Sequence, residues 1–231
     1  NIEDFCILVK QLPDNYVDQL EVLFNQEGIN IRNEAYFQDL LKENITILIL
    51  NSLKAAIDTS DSEAWITVLN FLYVFSDSKN YFDLKKEEEA VANIKKFLNH
   101  ISIKLTSVTR IEDLFDVFQG IIGYYGMDNI RAQFVEYSNL GYIEKLVQDL
   151  CDSLYFYYEK TSCWLEAILY LKGKNCIPVM TIHKSKGLEF DTVFLVGLDD
   201  QSFWSFKDSP EETTATLFVA VSRAKKNFIT T

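Results

Sequence analysis

The sequence predicts an α/β fold, a parallel sheet flanked by helices and interrupted by an all-α inserted domain, on three observations. Short apolar runs of strand character stand at both ends of the chain: Phe5 to Val9 near the start, Ile177 to Ile182 and Thr192 to Gly197 near the end. Between roughly Tyr36 and Leu171 almost every periodic segment has helical spacing instead. The order α/β, helical, α/β is explained better by one sheet with an insertion between its strands than by three separate units.

Each element follows from local chemistry. Phe5-Cys6-Ile7-Leu8-Val9 reads as a buried strand that breaks at Pro13-Asp14-Asn15. Val17, Leu20, Leu23 and Phe24 then share one helical face, with Asp14 or Asn15 available as a cap and Gly28 at the position of a left-handed C-terminal cap. Ile29 and Ile31 alternate with Asn30 and Arg32 as in a short strand. Leu40 and its successors lead through Ile57 into a turn and capping cluster, Asp58-Thr59-Ser60-Asp61, followed by a stripe of Trp65, Val68, Leu69 and Leu72. Further stripes are Leu84, Val91, Ile94, Phe97 and Leu98; Ile111, Leu114, Phe115 and Phe118; and Ile143, Leu146, Val147, Leu150 and Leu154. Such stripes are core rather than cofactor boxes. Glu211 to Ala224 has a helical pattern, and Lys226 to Thr231 reads as a last strand. The expected division is a sheet domain of residues 1–58 and 175–231 and a helical domain of residues 59–174.

Composition narrows the class. Hydrophobic residues make up 48% of 231 residues and aromatics 14%, with 8 Gly and 3 Pro, which predicts a packed, helix-rich globule. The chain opens on Asn1 with no signal-peptide layout, so a piece of a longer protein is expected. No apolar run reaches the roughly 18 residues of a membrane span, and the expectation is a cytoplasmic protein without a membrane partner. Cys6, Cys151, Cys163 and Cys176 are too scattered for a zinc site or a redox pair, so reduced thiols and no metal site are expected. A net charge of −12 opposes polyanion binding over most of the surface. The last segment, residues 176–231, is nearly neutral and its cations cluster.

That segment carries the chemistry. Thr181-Ile182-His183-Lys184-Ser185-Lys186-Gly187-Leu188-Glu189-Phe190-Asp191 places a hydroxyl, an imidazole, two ammonium groups, a glycine and a carboxylate after a strand, at the sheet edge where ligands bind in open α/β folds. Thr181 and His183 can donate to phosphate oxygens, Lys184 and Lys186 supply charge, Gly187 permits close backbone approach, and Glu189 can accept from ribose hydroxyls. Taken singly, these residues suit an ordinary solvated loop equally well. Taken together, the pattern Thr-x-His-x-Ser-Lys-Gly-Leu-Glu-Phe before a buried strand resembles motif V of the UvrD/Rep family of superfamily 1 DNA helicases. Some 30 residues on, Leu217-Phe218-Val219-Ala220-Val221-Ser222-Arg223-Ala224-Lys225-Lys226 resembles the family's motif VI, with Glu211-Glu212 opening its helix. Phe5 to Phe37 follows the order of events around motif IV, with Lys10 where the family usually has an arginine.

The resemblance covers roughly residues 1–60 and 175–231 and implies the second RecA-like motor domain, with its helical insertion, of an ATP-dependent 3′-to-5′ helicase. It implies that Arg223 is the arginine finger meeting the γ-phosphate. Glu189, Gly187, Lys186 and Lys10 then face the nucleotide, and Thr181, His183, Lys184 and Ser185 line the single-strand path. On its own, Arg223 also suits a helix-end cation. Lys225 and Lys226 read as solvated charge. No Gly-x-x-x-x-Gly-Lys-Ser/Thr loop is present, and Asp199-Asp200 fall where the family has acidic residues after motif V rather than at its magnesium site. ATP and Mg²⁺ are therefore expected mainly on an N-terminal RecA-like domain of the same protein, and the isolated chain is expected to be inactive. Single-stranded or partly duplex DNA is the implied partner, with a nuclease or repair partner compatible. The competing expectation is a non-catalytic helicase-like subunit of a nuclease or defence complex, kept open by Lys10 and the acidic surface.

Overall fold

The computed structural model describes residues 1–75, 84–198 and 209–230. The chain forms two compact units, one of residues 1–39 and 172–231 and one of residues 40–171. After a short 3-10 helix (Ile2–Asp4) comes β1 (Phe5–Val9), four of whose five residues are buried, followed by α1 (Asp14–Gln26). Pro13 occupies the N-cap of α1 and no side chain caps it, so neither Asp14 nor Asn15 has that role. Gly28, at φ +71°, lets the chain reverse while the Ile29 amide donates to the Phe24 carbonyl, 2.9 Å.

β2 (Asn30–Asn33) departs from simple alternation, because Ile31 and Arg32 are both buried. The Arg32 side chain is 1% exposed and lies 3.1 Å from the Glu34 carboxylate, with its guanidinium 4.5 Å from the Phe37 ring centre. A buried cation of this kind requires a partner at close range. Gly173, at φ +84°, belongs to the same arrangement: a Cβ there would lie 3.0 Å from Arg32 Nη1.

α2 (Glu34–Leu40) ends the first sheet segment, and α3 (Asn44–Ile57) opens the helical unit. Ten residues of α3 are buried, among them Ile45, Leu48, Ile49 and Leu53 at 1% or less, as expected of a helix apolar nearly all round. Packed against it are α4 (Ser62–Phe75), α5 (Leu84–Thr106), α6 (Ile111–Tyr125), α8 (Leu140–Thr161) and α9 (Trp164–Leu171), while the short α7 (Met127–Gln133) packs on α4 and α6. The compact unit therefore begins at Leu40, not at residue 59, because α3 is the centre of the helical core. The Asp58–Asp61 cluster acts as read: the Asp61 carboxylate accepts the Ala64 amide at 2.8 Å and Asp58 accepts that of Ser60 at 2.9 Å. No strand interrupts residues 40–171 among those described. No helix among the described residues is long and apolar enough to cross a membrane.

The sheet resumes with β3 (Cys176–Thr181) and β4 (Phe190–Leu195), then α10 (Pro210–Val221) and β5 (Ala224–Thr230). All pairings are parallel and the order is β2-β3-β1-β4-β5. β1, whose flanks are both occupied by strands that follow the insertion, ties the two sequence-distant halves together. One sheet face carries Ile7, Ile31, Ile177 and Val179 under Val17, Leu20 and Phe24 of α1. The other carries Cys6, Leu8, Met180, Val193 and Leu195 under Leu217 and Ala220 of α10. Helices on both faces satisfy the two-sided burial of a parallel sheet. Helix α10 stops at Val221 rather than continuing to residue 224, since Ala224 already pairs with Phe190.

Candidate nucleotide and nucleic-acid surfaces

The parallel sheet has two edges, and the residues expected to act are divided between them. At the C-terminal edge, Val9 pairs with Thr181, and the Ile182 amide extends the ladder to the Val9 carbonyl, 3.0 Å. Lys10, directly after β1, is therefore beside the start of the β3–β4 loop. The loop turns at once. Thr181 Oγ1 accepts the Lys184 amide at 3.3 Å, and the Thr181 carbonyl accepts the Ser185 amide at 3.2 Å. His183 is exposed and Lys184 half-buried. Lys184 Nζ donates to Asp39 of α2 at 2.6 Å, and Gln38 donates to the Lys184 carbonyl at 3.5 Å.

Ser185 differs from its neighbours. It has no exposed surface, and its hydroxyl donates to the Ile182 carbonyl at 2.7 Å. It braces the turn, and in this conformation it presents nothing to an outside ligand. The Leu188 amide then donates to the Ser185 carbonyl, 3.0 Å, across Gly187, whose φ of +88° a side-chain-bearing residue would adopt only under strain. Lys186 and Gly187 are exposed on the way down.

The loop ends at the opposite edge. Glu189 immediately precedes β4 and Arg223 immediately precedes β5, and because Phe190 pairs with Ala224 the two residues are neighbours. The six-residue β4 separates this edge from the other by about 20 Å at the usual strand rise. The Arg223 carbonyl accepts the Phe190 amide at 2.9 Å. Its guanidinium donates through Nε to the Val219 carbonyl (3.1 Å), through Nη1 to the Leu188 carbonyl (3.1 Å) and through Nη2 to Ser222 Oγ (2.8 Å). The first of these covers a helix carbonyl left without its ladder partner. An arginine offers five N–H groups, so two are left for another ligand by the described residues.

Acidic residues accompany the cations here. A register shift in the β4–β5 ladder brings Lys225 and Lys226 opposite the start of β4. Lys225 lies 3.8 Å from Glu189, and Lys226 donates to Asp191 at 2.6 Å, all four being largely solvent-facing apart from Asp191. The hydrogen bond from Lys226 holds the Asp191 carboxyl below the usual carboxylate range, and the same contact raises the Lys226 ammonium.

Of the expected residues, the structure gathers Thr181, His183, Lys184 and Lys10 at one edge and Glu189 and Arg223 at the other. Lys10 does not join Glu189 and Arg223, because it follows its strand whereas they precede theirs. Asp199 and Asp200 lie outside the described residues. Sequence reading passed over Ser222 and the Leu188 carbonyl, which hold Arg223. Ser222 lay inside the motif, but its contact with Arg223 was not anticipated, and no sequence signal exists for a backbone carbonyl. Among the described residues no three His, Cys, Asp or Glu side chains gather as a metal-ligand set. Cys6, Cys151 and Cys176 are buried free thiols and Cys163 an exposed one.

Comparison with known proteins agrees with the motif pattern. Residues 133–231 match the UvrD-like helicase C-terminal domain. The chain is 41% identical over 58 residues to a DNA helicase II of Haemophilus influenzae, covering 23% of this chain and 8% of that protein. It is 37% identical over 62 residues to the ATP-dependent DNA helicase Rep of Buchnera aphidicola, covering 25% and 9%. A probable DNA helicase II homolog of Mycoplasma genitalium aligns over 245 residues at 24% identity, covering 98% of this chain and 33% of that protein. These alignments thus take in between 8% and 33% of each relative's own length.

Proposed function

We propose, from the match of residues 133–231 to the UvrD-like helicase C-terminal domain and the similarity to DNA helicase II and Rep, that the α/β unit of this chain is the second RecA-like motor domain of an ATP-dependent, UvrD/Rep-like DNA helicase, with residues 40–171 as its helical insertion. The observation that carries the reading is the placement of Arg223 beside Glu189 at one sheet edge while Thr181, His183 and Lys184 occupy the other. One edge then faces a nucleotide, and the other a single strand. ATP and Mg²⁺ are held mainly by an N-terminal RecA-like domain of the same protein. Arg223 meets the γ-phosphate with the two N–H groups that the described residues leave unused, and a planar cation in a water-poor cleft stabilises charge that grows in the transition state. Glu189, once exchanged from Lys225, accepts from the ribose. The exposed Lys186 and Gly187 lie next to that edge.

At the other edge, His183 and Thr181 contact the strand, and a phosphate displaces Asp39 from Lys184. Alternate closing and opening of two such domains yields translocation in the 3′-to-5′ sense. Without its partner domain the chain is inactive. The test is DNA-stimulated ATPase of the full-length protein. Arg223→Ala lowers kcat by about 10³-fold with little change in nucleotide or DNA affinity, and Arg223→Lys rescues poorly because a point charge does not reproduce the fork. Near-normal turnover of a folded Arg223→Ala protein would leave Arg223 as a cap on its own helix and favour a non-catalytic, helicase-like subunit.

A further inference from the structure

Two of the three groups that hold the Arg223 guanidinium are its own neighbours. Val219 O and Ser222 Oγ belong to the helix end from which Arg223 emerges, and Ser222 Oγ is itself fixed by donating to the Val219 carbonyl at 2.7 Å. The third, the Leu188 carbonyl, is 35 residues away in sequence and is the one hydrogen-bond anchor from outside the α10–β5 segment among the described residues. The direction of the fork therefore depends on where the β3–β4 loop puts that carbonyl.

The loop fixes it through a chain of hydrogen bonds that begins at the other sheet edge. The Thr181 carbonyl accepts the Ser185 amide (3.2 Å), the Ser185 carbonyl accepts the Leu188 amide (3.0 Å), and the Leu188 carbonyl accepts Arg223 Nη1 (3.1 Å). At the middle of the chain stands Ser185, wholly buried, with its hydroxyl locked on Ile182 O at 2.7 Å. A buried donor with a single local acceptor holds the turn in one shape, since breaking the bond there strands a polar group away from water. Lys184, next to this pivot, is tied to α2 by an ion pair whose two side chains are 35% and 68% exposed and by a 3.5 Å hydrogen bond from Gln38 to its carbonyl, so the turn's outer side is held more loosely than its inner side.

We propose that Ser185 is a positioning residue that couples occupancy of the strand-facing edge to the orientation of Arg223, through the Leu188 carbonyl. The inference rests on the function proposed above. A strand phosphate that takes Lys184 from Asp39 acts on the turn, and the braced turn passes the displacement to Leu188 O and so to the guanidinium. Coupling between sites requires a physical element that both can bias, and this eight-residue loop is a continuous one.

The experiment compares basal and single-strand-stimulated ATPase of the full-length protein, with oligonucleotide affinity by fluorescence anisotropy, for wild type, Ser185→Ala, Ser185→Cys and Arg223→Ala. Ser185→Ala is expected to keep basal turnover and oligonucleotide affinity within about twofold while losing about tenfold in stimulation, a magnitude ordinary for coupling between sites. Ser185→Cys, nearly isosteric with a weaker donor, is expected to fall between, and it carries the test if the alanine protein does not fold. Full stimulation in a folded Ser185→Ala or Ser185→Cys protein, or an equal loss of basal and stimulated turnover, overturns the coupling. Arg223→Ala separates the two layers. If it abolishes turnover while Ser185 variants are stimulated normally, the coupling alone fails. If it leaves turnover intact, the proposed function itself fails.

Discussion

The two edges of the sheet are built from the same kinds of residues and held in opposite ways. At the C-terminal edge the polar side chains are mostly outward-facing, and the backbone, the Thr181 hydroxyl and buried Ser185 give the turn its shape. At the N-terminal edge the key cation is gripped from three sides, and Lys225 and Lys226 are each matched by a carboxylate. A surface that must accept and release successive units of a polymer gains from loosely held contacts. A group that must meet developing charge gains from being already in place, because reorientation at that moment raises the barrier. In the proposed motor, mutations at the two edges should therefore fail differently.

The largest separation is expected between Arg223→Ala, which acts on kcat by about 10³-fold, and the double variant Thr181→Val with His183→Ala. The double variant should weaken single-strand affinity by about 10- to 100-fold, the loss of one or two hydrogen bonds to a charged group, with basal turnover nearly unchanged. Affinity titrations and basal kcat for both proteins place them on separate axes. Equal loss of turnover and strand affinity in both variants would erase the distinction between the edges.

Gly187 lies between the edges, and its replacement should be felt as stability. A Cβ at Gly187 meets nothing within 4 Å, so Gly187→Ala isolates the backbone cost of φ +88°. About 1–2 kcal/mol is expected, and a melting temperature lower by several degrees, read by calorimetry on this chain. No change would mean that the loop takes up another conformation at no cost.

Much of this organisation was legible in the sequence, for identifiable reasons. Strand β1 matched its expected limits residue for residue because a five-residue apolar run ending in a Pro-containing break has few alternatives. The helical stripes were legible from period alone, and Ile94, Leu98, Leu114 and Phe118 are buried as their spacing requires. The extent of the helical unit was less legible. Asn44–Ile57 is apolar on nearly every side, and periodicity does not say which of two cores such a helix joins. The site was legible as a motif and not as a geometry: the residues of one loop look contiguous in sequence, yet an eight-residue crossover carries Thr181 and Glu189 to opposite ends of the sheet. Arg32 was misplaced for a related reason, since a strand's alternation predicts faces and says nothing of a buried partner such as Glu34.

The smallest expected effect tests whether the charge pairs at the N-terminal edge support the fold or merely accompany it. Asp191 is held below the ordinary carboxylate value of 3.8, first by the hydrogen bond from Lys226 and then by the nearby lysine charges. A carboxyl whose pKa is lower folded than unfolded binds fewer protons in the folded state, so its contribution to stability is complete above the unfolded value. That contribution is lost as pH falls through the lowered folded value. Lys226, raised above 10.5 by the same contact, contributes fully below that value and loses its share only as pH rises through its raised one. Between the two limits the pair is constant, and stability should show no slope from this source at neutral pH. Melting curves of the wild type and Asp191→Asn should therefore differ by a small, constant offset near neutrality and converge in acid, where the wild-type carboxyl is protonated too. Because Lys226 is mostly solvent-facing, the offset should be smaller than that of Gly187→Ala and should shrink further in high salt. An offset as large as that of Gly187→Ala, insensitive to salt, would show that the paired edge is held electrostatically, and that the rigidity around Arg223 comes from the lysine pairs rather than from the backbone carbonyls that grip its guanidinium.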